Sequence, residues 1–132
     1  MEKIIEIGSQ KIRLKSSARV ALICLSYFKK DVFELQSSFF GAQAEAARHK
    51  GELGQAEAIY KNLKSVDCLQ FIWAMAKCAD DSIVDFDTWI DTLDAMPGID
   101  VIMDVFLFWA ESCETTTKIK NAKAAASPQH KA

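Results

Sequence analysis

The chain has 132 residues, of which half are hydrophobic and about a quarter charged, and its formal net charge is −2. This length fits one domain, and the composition is that of a globular protein rather than a fibrous or disordered one. The near-neutral charge also argues against a non-specific nucleic-acid binder, which usually carries an excess of Lys and Arg.

No stretch of the sequence has the length and apolarity of a membrane-spanning helix. The longest nearly apolar run, residues 101–110, contains Asp104, and a spanning helix needs about 20 apolar residues. The first six residues lack the apolar stretch of a signal peptide. We therefore expect the protein to act in the cytoplasm and not in a membrane.

The sequence contains no pattern typical of metal binding or catalysis. No two cysteines form a C-x-x-C pair, and the two histidines lie beside a glycine-rich stretch (His49) and in the C-terminal tail (His130). Zinc sites and nucleophilic catalysis both need ligands or bases held in defined positions. The acids of residues 80–87 lack the glycine of a calcium loop. We therefore expect reduced cysteines, no cofactor, no metal and no enzymatic activity.

The first fifteen residues predict a β-hairpin. Residues 3–7 and 11–15 are rich in Ile and partly alternating, and a glycine-containing turn separates them. A two-stranded hairpin alone is marginal in water, so its apolar face must pack on the helices that follow or on a second copy. We assign a candidate self-association surface to Ile4, Ile12, Leu14 and Arg13.

From Ser16 onward the apolar residues have helical spacing. The pattern predicts a helix ending near Lys30, a second one from Asp31 to about His49, and a short helix around residues 56–60. A further helix is expected over residues 66–79, a short one after Asp85, and a last long one after Asp100. The fold is therefore predicted to be mainly α (α+β), with an N-terminal β-hairpin followed by a bundle of about four to five helices.

The last long helix is apolar around most of its circumference. Such a helix is either central in the core or packed against a partner, and the sequence leaves both alternatives open. Because aromatic side chains supply much of the binding energy of protein interfaces, this helix is a candidate partner-binding surface. The residues assigned to it are Val105, Phe106, Phe108 and Trp109, with the acidic neighbours Asp100 and Asp104.

Charge is segregated along the chain. Residues 1–77 carry a net charge of +4, residues 78–117 hold ten acids and no base, and residues 118–132 hold four lysines and no acid. The acidic segment is either a solvated face or a surface for a basic partner, such as the hairpin of a second copy. We expect residues 1–117 to form a single domain and residues 118–132 a basic, disordered tail.

Four segments share motifs with one protein family. Residues 7–15 read Ile-Gly-Ser-Gln-Lys-Ile-Arg-Leu-Lys, and residues 27–31 read Tyr-Phe-Lys-Lys-Asp, with Lys29 where the family commonly has Gly. Residues 69–80 fit Leu-x-x-x-Trp-Ala-Met-Ala-Lys-x-Ala-Asp, and residues 86–90 fit Phe-x-x-Trp-Leu with Ile for Leu. In order and spacing, over about residues 3–115, the chain resembles the tail assembly chaperones of long-tailed (siphovirus-type) phages and prophages of Gram-positive bacteria.

This resemblance implies a non-catalytic chaperone in the cytoplasm of the host bacterium. Such proteins bind the tape measure protein, keep it soluble before the tail tube polymerises, and are absent from the mature virion. In many phages a frameshifted longer form engages the tail tube protein. The implied partners are thus other proteins or a second copy, and neither nucleic acid nor membrane. The alternative is a small phage or bacterial adaptor that binds one folded partner through its hairpin.

Overall fold

A computed structural model describes residues 1–113, in which a two-stranded antiparallel hairpin precedes six helices. The predicted mainly α fold is confirmed, with one helix more than expected because both short helical segments form. The predicted tail of residues 118–132 lies outside the described residues. The elements are β1 (Glu2–Ile7), β2 (Gln10–Lys15), α1 (Ala18–Phe28), α2 (Val32–Ala46), α3 (Glu52–Asn62), α4 (Ser65–Ala79), α5 (Phe86–Thr92) and α6 (Ile99–Cys113).

Three of the helices, α1, α2 and α5, begin where a capping side chain satisfies a free backbone N–H group. Asp31 accepts a hydrogen bond from the backbone N–H of Phe33 (2.9 Å) at the start of α2, and Asp85 caps α5 in the same way. Helix α1 ends at Lys29, which has a left-handed φ of 58°. This is the conformation that glycine adopts most easily at helix ends. None of the helices within residues 1–113 is long and apolar enough to cross a membrane.

The apolar face of the hairpin packs on the helices that follow it. β1 and β2 pair with Ile5 opposite Ile12, and the inward side chains Ile5, Ile7, Ile12 and Leu14 are all buried. β2 lies against α4, and β1 lies against α6. The structure therefore corrects the assignment of Ile12 and Leu14 to a self-association surface, because both belong to the core of one chain.

The outward face of the hairpin carries the other two residues of that assignment. Ile4 is 63% exposed and lies opposite Arg13 in the strand register. The Arg13 guanidinium donates to Glu2 Oε1 (3.2 Å) and to the carbonyl oxygen of Ala79 at the end of α4 (3.0 Å). Arg13 thus fastens the hairpin to α4, and Ile4 is left as a single exposed apolar side chain.

The hairpin turn is fastened to the connection between α5 and α6. Gly8 adopts a φ of 58° at the first turn position, a left-handed conformation that glycine adopts without steric cost. Next to it, the backbone N–H of Ser9 donates to Asp94 Oδ1 (3.2 Å), and its hydroxyl donates to Asp94 Oδ2 (2.7 Å). The amide of Gln10 donates to the carbonyl oxygen of Thr92. Residues at opposite ends of the domain are therefore held together.

Helix α4 is the centre of the core. Its residues 71–76 are all buried, because β2, α1 and α5 pack around it. The indole N–H of Trp73 donates to the carbonyl oxygen of Val84 (2.9 Å) and closes the loop between α4 and α5. Phe71 reaches α6, where its ring centroid lies 4.9 Å from that of Phe106.

Changing Gly8 to Ala should destabilise the fold, because the new Cβ would meet Asp94 Oδ1 at 1.9 Å and the backbone would remain left-handed. We expect Gly8→Ala to lower the free energy of unfolding by about 1–3 kcal/mol in urea denaturation. Gly41→Ala is the matched control, since nothing lies within 4 Å of a Cβ at that helical position. Gly41→Ala should raise the free energy of unfolding by about 0.5–1 kcal/mol. If both variants changed the free energy of unfolding in the same direction, this explanation would be contradicted.

The contact between Ser9 and Asp94 should make the free energy of unfolding depend on pH in the acidic range. Hydrogen bonds from Ser9 hold the pKa of the Asp94 carboxyl below its usual range. A lowered folded pKa stabilises the fold above the unfolded pKa of about 3.9, and the effect is lost as the pH falls through the folded pKa. The urea midpoints of the wild type and of Asp94→Asn should therefore differ at neutral pH and converge below about pH 4. A difference that persists unchanged in acid would contradict this role.

The ring of Phe106 is enclosed between two aromatic neighbours, with centroids 4.5 Å from Phe39 and 4.9 Å from Phe71. We expect Phe106→Ala to cost about 3–5 kcal/mol of unfolding free energy, measured by urea denaturation, because it leaves a cavity in the core. Leu107→Ala is the control on the same helix, since Leu107 is 47% exposed. Its cost should stay below about 1 kcal/mol. Equal losses in the two variants would contradict the placement of Phe106 in the core.

Candidate functional site

The structure places the predicted partner-binding aromatics of α6 in the core. Val105, Phe106, Phe108 and Trp109 are between 1% and 7% exposed, and the indole N–H of Trp109 donates to Gln36 Oε1 (3.0 Å) on α2. Of the two alternatives left open for this helix, the structure shows the core for these four residues. Their assignment to a partner-binding surface is corrected accordingly, because a side chain buried inside the chain offers no area to a partner.

The two acids of the same assignment lie on the outer face of α6. Asp100 and Asp104 are exposed, and Leu107 and Glu111 continue the same face toward the end of the helix. Lys3 of β1 pairs with Asp104 (Nζ–Oδ2, 3.0 Å). Both side chains of this pair are partly exposed, so it contributes little stability. We call Asp100, Asp104 and Glu111 the acidic stripe of α6.

An apolar groove runs beside the acidic stripe. It has a volume of about 530 Å³ and lies between the first turns of α6, the end of α2 and helix α3. We call it the α6 groove. Its apolar lining is Ala46, Ala47, Ala56, Ile59, Ile99 and Met103, and its polar lining is Gln43, Glu52 and Gln55.

The groove exists because α3 packs mainly on α2. These two helices form a hairpin with a short connection, and Ala58 and Ile59 are the buried residues of α3. Alanine at positions 46, 47 and 56 leaves room that larger side chains would fill. The result is a concave surface that a side chain or a helix from another protein can enter.

Other apolar side chains remain on the convex surface of the molecule. Leu22 and Leu25 lie on the outer face of α1, Phe33 and Phe40 lie on that of α2, and all four are exposed. Tyr27 is exposed as well, although its ring contacts Trp73 (centroids 5.1 Å apart). Scattered exposed apolar residues are common on monomeric proteins, so we give more weight to the groove.

Two of the cysteines in the described chain are shielded by burial, and one of its acids is held by hydrogen bonds. Burial raises the pKa of the Cys24 and Cys68 thiols to about 11, which leaves both in the weakly nucleophilic neutral form at physiological pH. Asp80 accepts hydrogen bonds from Ser82, and these lower its pKa. Within residues 1–113 no group of three or more His, Cys, Asp or Glu side chains is arranged to hold a metal ion.

Sequence reasoning missed the residues that line the α6 groove. It weighed the largest aromatics, whereas the groove depends on small side chains and on the edge residues Ile99 and Met103 of α6. One signal was available, namely the alanines of residues 42–47 followed by those at 56 and 58. Alanines spaced along two adjacent helices indicate a surface that another element can approach closely.

Comparison of the chain with protein-family models, with curated proteins and with solved structures finds no match. The resemblance to tail assembly chaperones therefore depends on the four motifs quoted above. In the structure those motifs lie in the hairpin, at the end of α1, along α4 and in α5. They include both the central helix of the core and the hairpin that packs on it.

Proposed function

We propose that the protein is a tail assembly chaperone that binds the tape measure protein through the α6 groove and keeps it soluble before the tail tube polymerises. The observation that supports this most directly is an open apolar groove between three helices, lined by three alanines and bordered by an acidic stripe. The motif resemblance supplies the identity of the partner, and the groove supplies a surface suited to a helical one.

The proposed mechanism is the docking of a client helix into the groove. Apolar side chains of the client enter between Ile59 and Met103, and the small side chains of Ala47 and Ala56 allow its backbone to come close. Asp100 and Glu111 attract lysine-rich parts of the client and keep the complex soluble. A shallow contact of this size gives weak binding at each position, so the chaperone is easily displaced when tube subunits assemble.

This function needs no catalytic group or cofactor. The protein acts in the cytoplasm of the host bacterium and is released before the virion is complete. A longer, frameshifted form would add the contact with the tail tube protein. These features follow from the resemblance and form part of the same proposal.

The proposal is tested by co-expressing the full chain with the tape measure protein of the same phage or prophage genome. The wild type should move the tape measure protein into the soluble fraction and co-purify with it. Met103→Lys and Ala47→Lys place a charge inside the groove and should reduce the co-purified amount about tenfold. Light scattering of the purified complex then gives the number of chaperones bound to each client.

The matched control is Leu25→Lys, which places the same charge on an exposed apolar position of α1 that the groove does not include. It should bind like the wild type, and circular dichroism should show all variants folded. The proposal would be contradicted if the tape measure protein were equally soluble with and without the co-expressed chain. One chaperone bound to one folded partner, insensitive to both groove variants, would favour the adaptor alternative.

A further inference from the structure

A second apolar groove lies on a different part of the surface, between the start of α4 and helix α5. Its volume is about 340 Å³, and it shares no lining residue with the α6 groove. Leu69 forms part of its lining, and Val66 lies at its edge, 51% exposed. We call this surface the α5 groove. Its lining residues are Val66, Leu69, Phe86, Asp87, Ile90 and Asp91.

Packing against the core fixes the position of the apolar residues of the α5 groove. Phe86 packs edge-on against Phe28 (centroids 5.2 Å apart) and contacts the ring of Trp73 (6.3 Å). Trp89, on the opposite side of α5, is buried in the core. Helix α5 therefore has one side fixed in the core, and Phe86 and Ile90, one turn apart, are half-buried beside the groove.

Two carboxylates border this groove without a partner of their own. Asp87 and Asp91 are four residues apart on α5, and none of the hydrogen bonds or ion pairs within residues 1–113 engages either side chain. The nearby acids differ in this respect, because Asp81 pairs with Lys77, Asp85 binds Thr88 and Asp94 binds Ser9.

Helix stability and capping do not account for both members of this pair. Like charges four residues apart on a helix repel each other. Asp91 lies one residue before the end of α5, where a negative charge is unfavourable to the helix dipole. Asp87 lies in the first turn of α5, where its charge suits the helix dipole, so the unfavourable terms are the position of Asp91 and the repulsion between the two carboxylates. Residues 78–113 contain no Lys or Arg that could compensate this repulsion locally. A basic group brought by a partner would remove the repulsion.

We propose that the α5 groove binds a basic amphipathic helix of another polypeptide. An apolar side chain of that helix fills the space between Val66, Phe86 and Ile90, and two Lys or Arg side chains one turn apart meet Asp87 and Asp91. The match follows from the spacing, since residues four apart on both helices lie about 5–6 Å apart. The acidic border repels nucleic acids and anionic lipids, so the partner is a protein segment.

A second copy of this chain is a weaker candidate for the occupant. The exposed apolar and basic residues of the hairpin, Ile4 and Arg13, stand among Glu2 and Glu6 on the same face. The Arg13 guanidinium is also engaged by Glu2 and by the carbonyl oxygen of Ala79. The same face carries two exposed cations, Lys11 and Lys15, which lie opposite Glu6 and Glu2 in the strand register. Because four residues on a strand span about 13 Å, these two cations do not match the spacing of about 5–6 Å between residues four apart on a helix.

The test uses the full chain and a fluorescent peptide of about 20 residues, long enough to form a helix. The peptide carries Leu on one face with Lys pairs four residues apart beside it, and a second peptide has Glu in place of Lys. Anisotropy titration should show binding of the Lys peptide and none of the Glu peptide. Amide NMR signals of residues 66–69 and 86–91 should shift when the Lys peptide is added.

Two variants test the site in different ways. Asp87→Asn combined with Asp91→Asn removes both charges at constant shape, and Val66→Lys adds a positive charge at an exposed edge position. Each should weaken binding of the Lys peptide about tenfold. The control pair, Glu6→Gln with Glu57→Gln, removes the same net charge at exposed positions outside both grooves, and it should bind within about twofold of the wild type.

Three results would overturn the inference. An equal loss of binding in the control pair would show that net charge alone attracts the peptide. NMR shifts confined to residues of the α6 groove would place the binding elsewhere. A second copy would be the occupant if the molecular mass in solution, measured without peptide, rose with protein concentration and were lower for Asp87→Asn with Asp91→Asn. Because the two grooves share no lining residue, each of these results leaves the proposed chaperone function to be judged by its own variants.

Discussion

The fold depends on the complete burial of the middle of α4. Six consecutive side chains, residues 71–76, are inaccessible to solvent, and a helix that is apolar all round can exist only if other elements cover every side of it. The hairpin covers one side, α1 and α5 cover others, and α6 contributes Phe106 and Trp109. This requirement explains why a two-stranded hairpin, marginal alone, is stable in this chain.

The same requirement explains which predictions from sequence were correct. Apolar residues that recur at every second position predicted the hairpin. Apolar residues that recur about every 3.6 positions, together with caps such as Asp31 and Asp85, predicted the helices. Periodicity shows that a face is apolar but not what covers it. Val105, Phe106, Phe108 and Trp109 therefore fitted a core and a partner surface equally well until their contacts with α2 and α4 were known. Ile12 and Leu14 presented the same ambiguity.

The grooves could not be predicted from the sequence for a related reason. A groove is formed by residues from two or three elements, and its depth depends on how far apart those elements pack. The α6 groove combines Ala46 with Ile59 and Met103, which are far apart in the chain. The α5 groove combines Val66 with Ile90. Only the acidic character of residues 78–113 was visible beforehand. The structure divides those acids into hydrogen-bonded carboxylates, ion pairs, two unpaired carboxylates on α6 (Asp100 and Glu111) and two on α5 (Asp87 and Asp91).

The contact between the hairpin turn and Asp94 has a consequence for synthesis on the ribosome. Ser9 and Asp94 are separated by 85 positions, so the first elements to emerge cannot reach their final neighbours until most of the domain has been translated. Contacts of such long sequence separation slow folding because the intervening chain must be ordered first. The apolar side of the nascent hairpin is therefore uncovered for a large part of translation, which makes this stage the one most exposed to aggregation.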